Sequence, residues 1–362
     1  MPKSRQSQHK GSVTKTQQLS SQVARLSRLL FVTRIGLISL FSLLVLLIAG
    51  LAWAYHISHS PISSSAQPQI VELPKGASAK AMARQLNQAG MLKNPEAFVW
   101  YLRLNQQANN LKPGEFMIQP AWDFRALMQA LVSGRNVSYP FAIIPGDSLA
   151  EVKQKLQQLP KLNQVMQASD WQTLGEKMGV TEHLEGWLLP ETYHYHKGET
   201  DLELVKRAIA AMKQTLEAEW STRDGGLPLK TPYEALTLAS IIEKETGVAH
   251  ERHQVAGVFI RRLQKGMRLQ TDPTVIYGMG ERYQGHIGRE GLDTVTPYNT
   301  YRIRGLTPTP IAMPSRESIR AALRPDASDA LYFVSKGNGE HYFSSTLEEH
   351  NRAVRRYILN KP

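Results

Sequence analysis

The longest hydrophobic pattern in the chain is a run from Ile35 to Tyr55 that contains no charged residue. With a rise of 1.5 Å per residue it predicts a helix about 30 Å long, enough to cross the hydrocarbon core of a bilayer. Beyond it the patterns are shorter and change period. Ile70-Val71-Glu72-Leu73 alternates as a strand does, Pro74-Lys75-Gly76 reads as a turn, and Ser78 caps a helix that runs to Gln88. Phe98, Tyr101, Leu102 and Leu104 share a second helix, residues 112–118 read as turn then strand, and a third helix spans Asp123 to Ser133. Ser148 to Leu156 then echoes Ser78 to Leu86, again after a strand and a Pro-containing turn, as ordinary βα patterning does.

From Tyr139 onward helical periods dominate, over Ser169 to Met178, Leu202 to Trp220 and Pro232 to about Thr246. Leu331-Tyr332-Phe333-Val334 and His341-Tyr342-Phe343 flank Gly337-Asn338-Gly339, a hairpin signal. Thr346 caps a last helix, whose expected apolar contacts are Leu347, Val354 and Ile358. The predicted class is α+β, with one transmembrane helix, a small αβ domain and a mainly helical domain with short strands.

Charge places the apolar run. Lys3, Arg5, Lys10, Lys15, Arg25, Arg28 and Arg34 precede it with no Asp or Glu, so the positive-inside rule keeps residues 1–34 in the cytoplasm and exports everything after Tyr55. Ala52-Trp53-Ala54 offers a signal-peptidase-like pattern, but the run exceeds a signal core, and an uncleaved anchor at 35–55 is the preferred reading. The tail supplies +7 of the net charge of +12, which leaves +5 on the rest and gives no support for nucleic-acid binding. Residues 56–69, rich in Ser and Pro, read as a linker that reaches about 45 Å when extended. Two domains are expected after it, 70–138 and 139–362. Cysteine is absent, which removes disulfides, thiol nucleophiles and zinc-thiolate sites.

Candidate chemistry concentrates in Ala239-Ser240-Ile241-Ile242-Glu243-Lys244-Glu245-Thr246. A carboxylate in an apolar run needs a partner, a proton or a role in chemistry. On a helical wheel Ala235, Leu238, Ala239 and Ile242 form one stripe, Glu243 and Glu245 fall on opposite margins, and Lys244 shares a small polar sector with Ser240. Periodicity does not choose between the two acids, and surface pairing with Arg252 or Lys244 accounts for either. Thr271-Asp272-Pro273 reads as a helix start capped by Asp272, or with Tyr277 as the mouth of a cleft facing the Glu helix. Trp187 to Tyr195, which contains Glu191 and Tyr193, and Pro297 to Tyr301, which contains Tyr298 and Asn299, mix aromatic and hydrogen-bonding side chains, as sugar grooves and aromatic cores both do. His194/His196 and His250/His253 lack a third ligand at a metal-binding spacing, and no G-x-S-x-G elbow occurs. Neither a metal nor a cofactor is expected.

In combination, Leu184 to Tyr193 (LEGWLLPETY), Ala239 to Thr246, Arg268 to Gly280, Pro297 to Gly305 and Leu331 to Asn351 resemble the YceG-like endolytic murein transglycosylases of bacterial inner membranes. The resemblance covers nearly all of 139–362, and implies that 70–138 is LysM-like and 139–362 catalytic. It puts the family's catalytic glutamate at Glu243 and none at Glu245. It implies cleavage of nascent peptidoglycan strands on the periplasmic side with a 1,6-anhydro product, and association with peptidoglycan synthases. Glu191, Tyr193, Thr271, Asp272, Tyr277, Tyr298 and Asn299 are the expected groove-lining residues. Leu306-Thr307-Pro308-Thr309-Pro310 departs from the family's Pro-Pro-Gly-Pro-like turn. A single acid suffices if the substrate's 2-acetamido group serves as internal nucleophile, and an apolar site around Glu243, near Leu236 and Ala239, is expected to keep it protonated. A hydrolytic muramidase and a non-catalytic wall-binding scaffold are the competing readings.

Overall fold

The computed structural model describes residues 8–359 except 135, 181 and 182. Lys3 and Arg5 of the basic tail lie outside the described residues. The chain divides into two compact units, one ending at Val137 and the other beginning at Ser138.

The first unit opens with α1 (Gln8–His59), which from Arg25 is long and apolar enough to cross a membrane, a test that a signal sequence near an N-terminus also passes. Leu37, Phe41 and Leu46 on it are exposed, so no protein core accounts for their apolarity. The unit continues with β1 (Gln69–Leu73), α2 (Ala79–Gln88), α3 (Pro95–Leu104), β2 (Gly114–Ile118) and α4 (Phe124–Ser133). β1 and β2 pair antiparallel with Val71 opposite Phe116, and the inward side chains of this ribbon meet Leu86, Phe98, Leu102 and Leu127 in one core. Ser78 and Asp123 cap α2 and α4 by accepting from Ala81 and Ala126, satisfying amides the helices leave open.

The Ser/Pro stretch is not the extended tether its composition predicts. α1 runs on to His59, and Ile62 is buried in the unit's core with its amide on the Trp122 carbonyl and its own carbonyl taking the Lys93 amide. Ile57 packs on the same core, and the buried Ser63 donates its hydroxyl to the Gly90 carbonyl at 2.6 Å.

The second unit is mainly helical with small sheets. β3 (Ser138–Ala142) leads through α5 (Leu149–Gln157) and α6 (Ala168–Lys177) to β4 (Thr192–His196), its antiparallel partner, with Tyr139 opposite Tyr195. Next come α7 (Asp201–Ser221), α8 (Pro232–Glu245), α9 (Arg252–Gln264), α10 (Asp272–Met279), α11 (Gly288–Asp293) and α12 (Arg316–Leu323). The hairpin of β5 (Tyr332–Ser335) and β6 (His341–Ser344) and the helix α13 (Leu347–Tyr357) complete it.

α8 is the central helix of this unit. Every residue from Ala235 to Ile242 is buried, so the stripe expected on one face is in fact a helix apolar nearly all round. Ser240 belongs to the core rather than to a polar sector. Its hydroxyl donates to the Thr237 carbonyl at 2.7 Å and accepts from the Ile311 amide at 3.0 Å, so it is satisfied without water. The last helix also differs from expectation, because Leu347 and Ile358 are exposed and Ala353 makes the buried contact. α13 is short and strongly charged, and only a narrow strip of it meets the hairpin.

Candidate active site

Glu243 and Glu245 both sit in the last turn of α8, and two residues on a helix are about 200° apart round its axis. Their carboxyls therefore meet different neighbours. Glu243 Oε2 accepts from the Ser315 amide at 2.8 Å and from the Ser315 hydroxyl. Its Oε1 faces Arg252 Nη2 at 3.5 Å, an ion pair too long for a good hydrogen bond, and only 5% of the Glu243 side chain is exposed. Ser315 is also the N-cap of α12, where its hydroxyl accepts from the Ser318 amide at 3.2 Å. One residue thus starts α12 and orients the acid. The wholly apolar setting expected for Glu243 is corrected here: Leu236 and Ala239 are in the core, and the groups that touch the carboxyl are a hydroxyl, an amide and a guanidinium. Of the two cations considered as partners, Arg252 pairs with it, whereas Lys244 donates to the Gly146 carbonyl at 3.2 Å.

Glu245 accepts from the Thr271 hydroxyl at 2.6 Å. The Thr271 amide donates to Thr300 Oγ1 at 3.0 Å, and the Thr274 and Thr300 hydroxyls lie 2.8 Å apart, a buried chain that ties α8, α10 and the 299–301 turn together. Burial pushes the Glu245 carboxyl above the ordinary carboxylate range, against the Thr271 hydrogen bond and the nearby His341 and Arg262. Thr271, not Asp272, is the N-cap of α10, and its hydroxyl is spent on Glu245 rather than on a cap bond. Asp272 is the exposed first residue of the helix and accepts from the Tyr301 hydroxyl at 2.7 Å.

A third carboxyl lies elsewhere in the unit. Glu185 is 6% exposed and accepts from the Leu149 amide, at 3.0 and 3.2 Å to its two oxygens, and from the Tyr277 hydroxyl at 3.0 Å. Burial pushes its carboxyl up to about 7, against those hydrogen bonds. Tyr277 is tilted against Tyr298 with ring centres 5.0 Å apart, and the Tyr298 hydroxyl meets that of Thr309 at 2.9 Å. These residues line a cavity of ≈ 340 Å³ together with Leu149, Lys153 and Trp171.

The expected groove residues therefore fall into separate neighbourhoods. Thr271 belongs to Glu245, and Tyr277 and Tyr298 to the Glu185 cavity. Tyr193 lies in β4 opposite Phe141 and donates to the Leu189 carbonyl at 2.8 Å, with burial holding its phenol above the usual range. Glu191, just ahead of it, is exposed, and its carbonyl takes the Ile143 amide at 3.0 Å. Asn299 is buried and staples a turn, donating to the carbonyls of Gly291, Leu292 and Thr294 and accepting from the Tyr301 amide. Of the aromatics in the 187–195 stretch, Trp187 and Tyr195 are core residues, and Trp187 stacks on Tyr233. Among the described residues no group of three or more His, Asp or Glu stands where it could hold a metal ion.

One loop runs past both carboxyls. Thr309 meets Tyr298, Pro310 lies against Gly186, the Ile311 amide reaches Ser240, and Ser315 holds Glu243. Gly186 has φ +81°, and a Cβ there would come within 2.5 Å of Pro310. Glu185 and Ser315 were not singled out from sequence. Glu185 carried a signal, an acid between Leu184 and the Gly186-Trp187 pair; Ser315, 72 residues from Glu243, carried none.

A family model described as the YceG-like family matches residues 71–356. The chain belongs to the YceG-like family. That match runs through every neighbourhood just described, from Glu185 to the β5–β6 hairpin. Within the family, this chain is 33% identical to an endolytic murein transglycosylase of Bacillus subtilis (strain 168) over 336 residues, 87% of this chain and 92% of the relative. It is 29% identical to an endolytic murein transglycosylase of Streptococcus pneumoniae, across 90% of this chain and 65% of that longer relative. A crystal structure of a YceG-like protein from Listeria monocytogenes superposes with a TM-score of 0.52 at 29% identity, covering 80% of this chain and 99% of the other.

Proposed function

We propose that this chain, an enzyme of the lytic transglycosylase kind by its kinship to the curated endolytic murein transglycosylases, cuts the MurNAc–GlcNAc bond within nascent peptidoglycan strands and so ends their elongation. Glu243 is its catalytic residue. The observation that carries this reading is the unequal engagement of the two Glu243 oxygens: Oε2 is held by both donors of Ser315, while Oε1, among the described residues, faces only Arg252 at 3.5 Å. Oε1 is the oxygen left to exchange a proton with a substrate.

In the first step Oε1 protonates the leaving glycosidic oxygen as the bond to C1 breaks, and the 2-acetamido carbonyl oxygen of the same sugar closes onto C1. Arg252 and the Ser315 amide stabilise the carboxylate that remains, as donors aimed at developing charge do. In the second step Glu243 takes the proton of the sugar's 6-hydroxyl as that oxygen attacks C1 and expels the acetamido oxygen. The product is a 1,6-anhydro ring, the acid is regenerated, and no water is consumed. One carboxyl performs both transfers.

The exposed apolar surface of α1 supports an uncleaved single-pass anchor at residues 35–55, with the basic tail, residues 1–34, in the cytoplasm and the rest on the periplasmic side of the inner membrane. The β1-α2-α3-β2 order of the first unit agrees with a LysM-like module at 70–138 that holds glycan near the membrane, followed by a catalytic domain at 139–362. Mass spectrometry of strands digested by the purified full chain tests the reaction type. Ends lighter by one water than reducing ends are expected. Reducing ends would instead make the chain a hydrolytic muramidase, and binding without any product would leave it a scaffold.

A further inference from the structure

Neither step of that reaction uses Glu185, yet its buried carboxyl lines a cavity. Leu149 and Tyr277 fix both of its oxygens, and Tyr298, Lys153 and Trp171 complete the wall. Trp171 is half-buried, with the Lys153 ammonium 4.8 Å from its ring centre. The lining therefore combines indole and phenol faces with a buried carboxyl, two phenol hydroxyls and a cation. Pyranose rings present apolar C–H faces and polar edges, and pockets that hold them need that combination. A volume of ≈ 340 Å³ is at the small end of ligand pockets, about that of one substituted ring and not of several.

The cavity is also placed to share a polymer with Glu243. Thr309 lies in its wall and Ser315 holds the acid, and the two are six positions apart in one loop, a backbone span of at most about 22 Å. We infer that the Glu185 cavity is a remote subsite for one N-acetylated sugar ring of the strand whose cleavage Glu243 catalyses. Trp171 supplies the stacking face, Glu185 accepts from a ring hydroxyl or amide, and Lys153 donates to a carbonyl oxygen of an acetamido or lactyl substituent. The role assigned to the strand rests on the transglycosylase reading, whereas binding at the cavity can be measured without turnover.

The test uses the full-length protein in detergent with Glu243→Gln, so that ligand is not consumed, and a tetramer of N-acetylglucosamine as probe. Hydroxyl-radical footprinting read by peptide mass spectrometry should show oxidation of Trp171 falling as the tetramer is added, a readout that glycan bound to the first unit does not produce. In the otherwise wild-type chain, Trp171→Ala should raise KM on glycan strands about tenfold with kcat within about twofold, and Trp171→Phe should restore most of the loss. Trp171 oxidation unchanged at the highest soluble tetramer concentration, or a folded Trp171→Ala enzyme with unaltered KM, overturns the proposal. If Trp171 is protected while Glu243→Gln still cleaves strands, the subsite stands and the catalytic assignment falls.

Discussion

Ser315 donates to Glu243 through its amide and its hydroxyl while its hydroxyl also caps α12. Ser315→Ala keeps the amide bond and removes the other two. Loss of a cap costs about 1 kcal/mol. Loss of the hydroxyl bond that stabilises the carboxylate left by the first proton transfer should lower kcat by about tenfold to a hundredfold. Chemical denaturation beside steady-state kinetics separates the two, and a variant that loses stability alone would remove Ser315 from the catalytic machinery.

In the proposed assignment Glu245 is the structural acid of the pair. Glu245→Gln retains an acceptor for Thr271 and should leave activity within a few-fold. Glu245→Ala strands the buried Thr271 hydroxyl and should cost about 1–3 kcal/mol of stability. A Glu245→Gln enzyme as inactive as a Glu243 variant would contradict the division of roles.

Glu185 makes stability depend on pH. Its carboxyl is pushed from 4.5 up to about 7, so the folded protein holds that proton more tightly than the unfolded chain does. Its contribution is complete below about 4.5, is lost as pH rises toward 7 and is flat above that, a change on the order of 3 kcal/mol. Denaturant midpoints from pH 4 to pH 8 should fall less steeply in Glu185→Gln than in the wild type. Identical slopes would mean that burial is not shifting this group.

Gly186 is required by its surroundings, since its φ is +81° and any Cβ added to it would sit 2.5 Å from Pro310. Gly186→Ala should destabilise by about 2 kcal/mol or more and shift the loop that carries Ser315. The melting temperature and kcat should fall together. A neutral substitution would show that the loop yields without consequence.

Much of the fold was legible because it is written locally. The alternation of β1, the Ser78 and Thr346 caps and the Gly337-Asn338-Gly339 turn depend on neighbours a few residues away, and the structure forms all of them. Long-range relations were not legible in this way. The periodicity of α8 left Glu243 and Glu245 tied, because what distinguishes them is Ser315 in one case and Thr271 in the other, brought in by tertiary packing. Arg252 was within reach of sequence reasoning, since it starts the helix after α8. Glu185 and Tyr277, 92 residues apart, were not a pair until the fold made them one. Of the positions that sequence misassigned, Asp272 yields the cap to its neighbour Thr271, while Leu347 and Ile358, at the two ends of α13, stay exposed and Ala353 near its middle is buried.

In the proposed reaction one carboxyl, Glu243, performs both proton transfers. Its most direct test is single-turnover cleavage of defined glycan strands by the full-length Glu243→Gln variant beside the wild type, with the thermal melt of each recorded. Gln still accepts from Ser315, so the melt should be nearly unchanged while the cleavage rate falls at least about a thousandfold and anhydro ends disappear. A folded Glu243→Gln variant that cleaves strands at the wild-type rate would contradict that assignment.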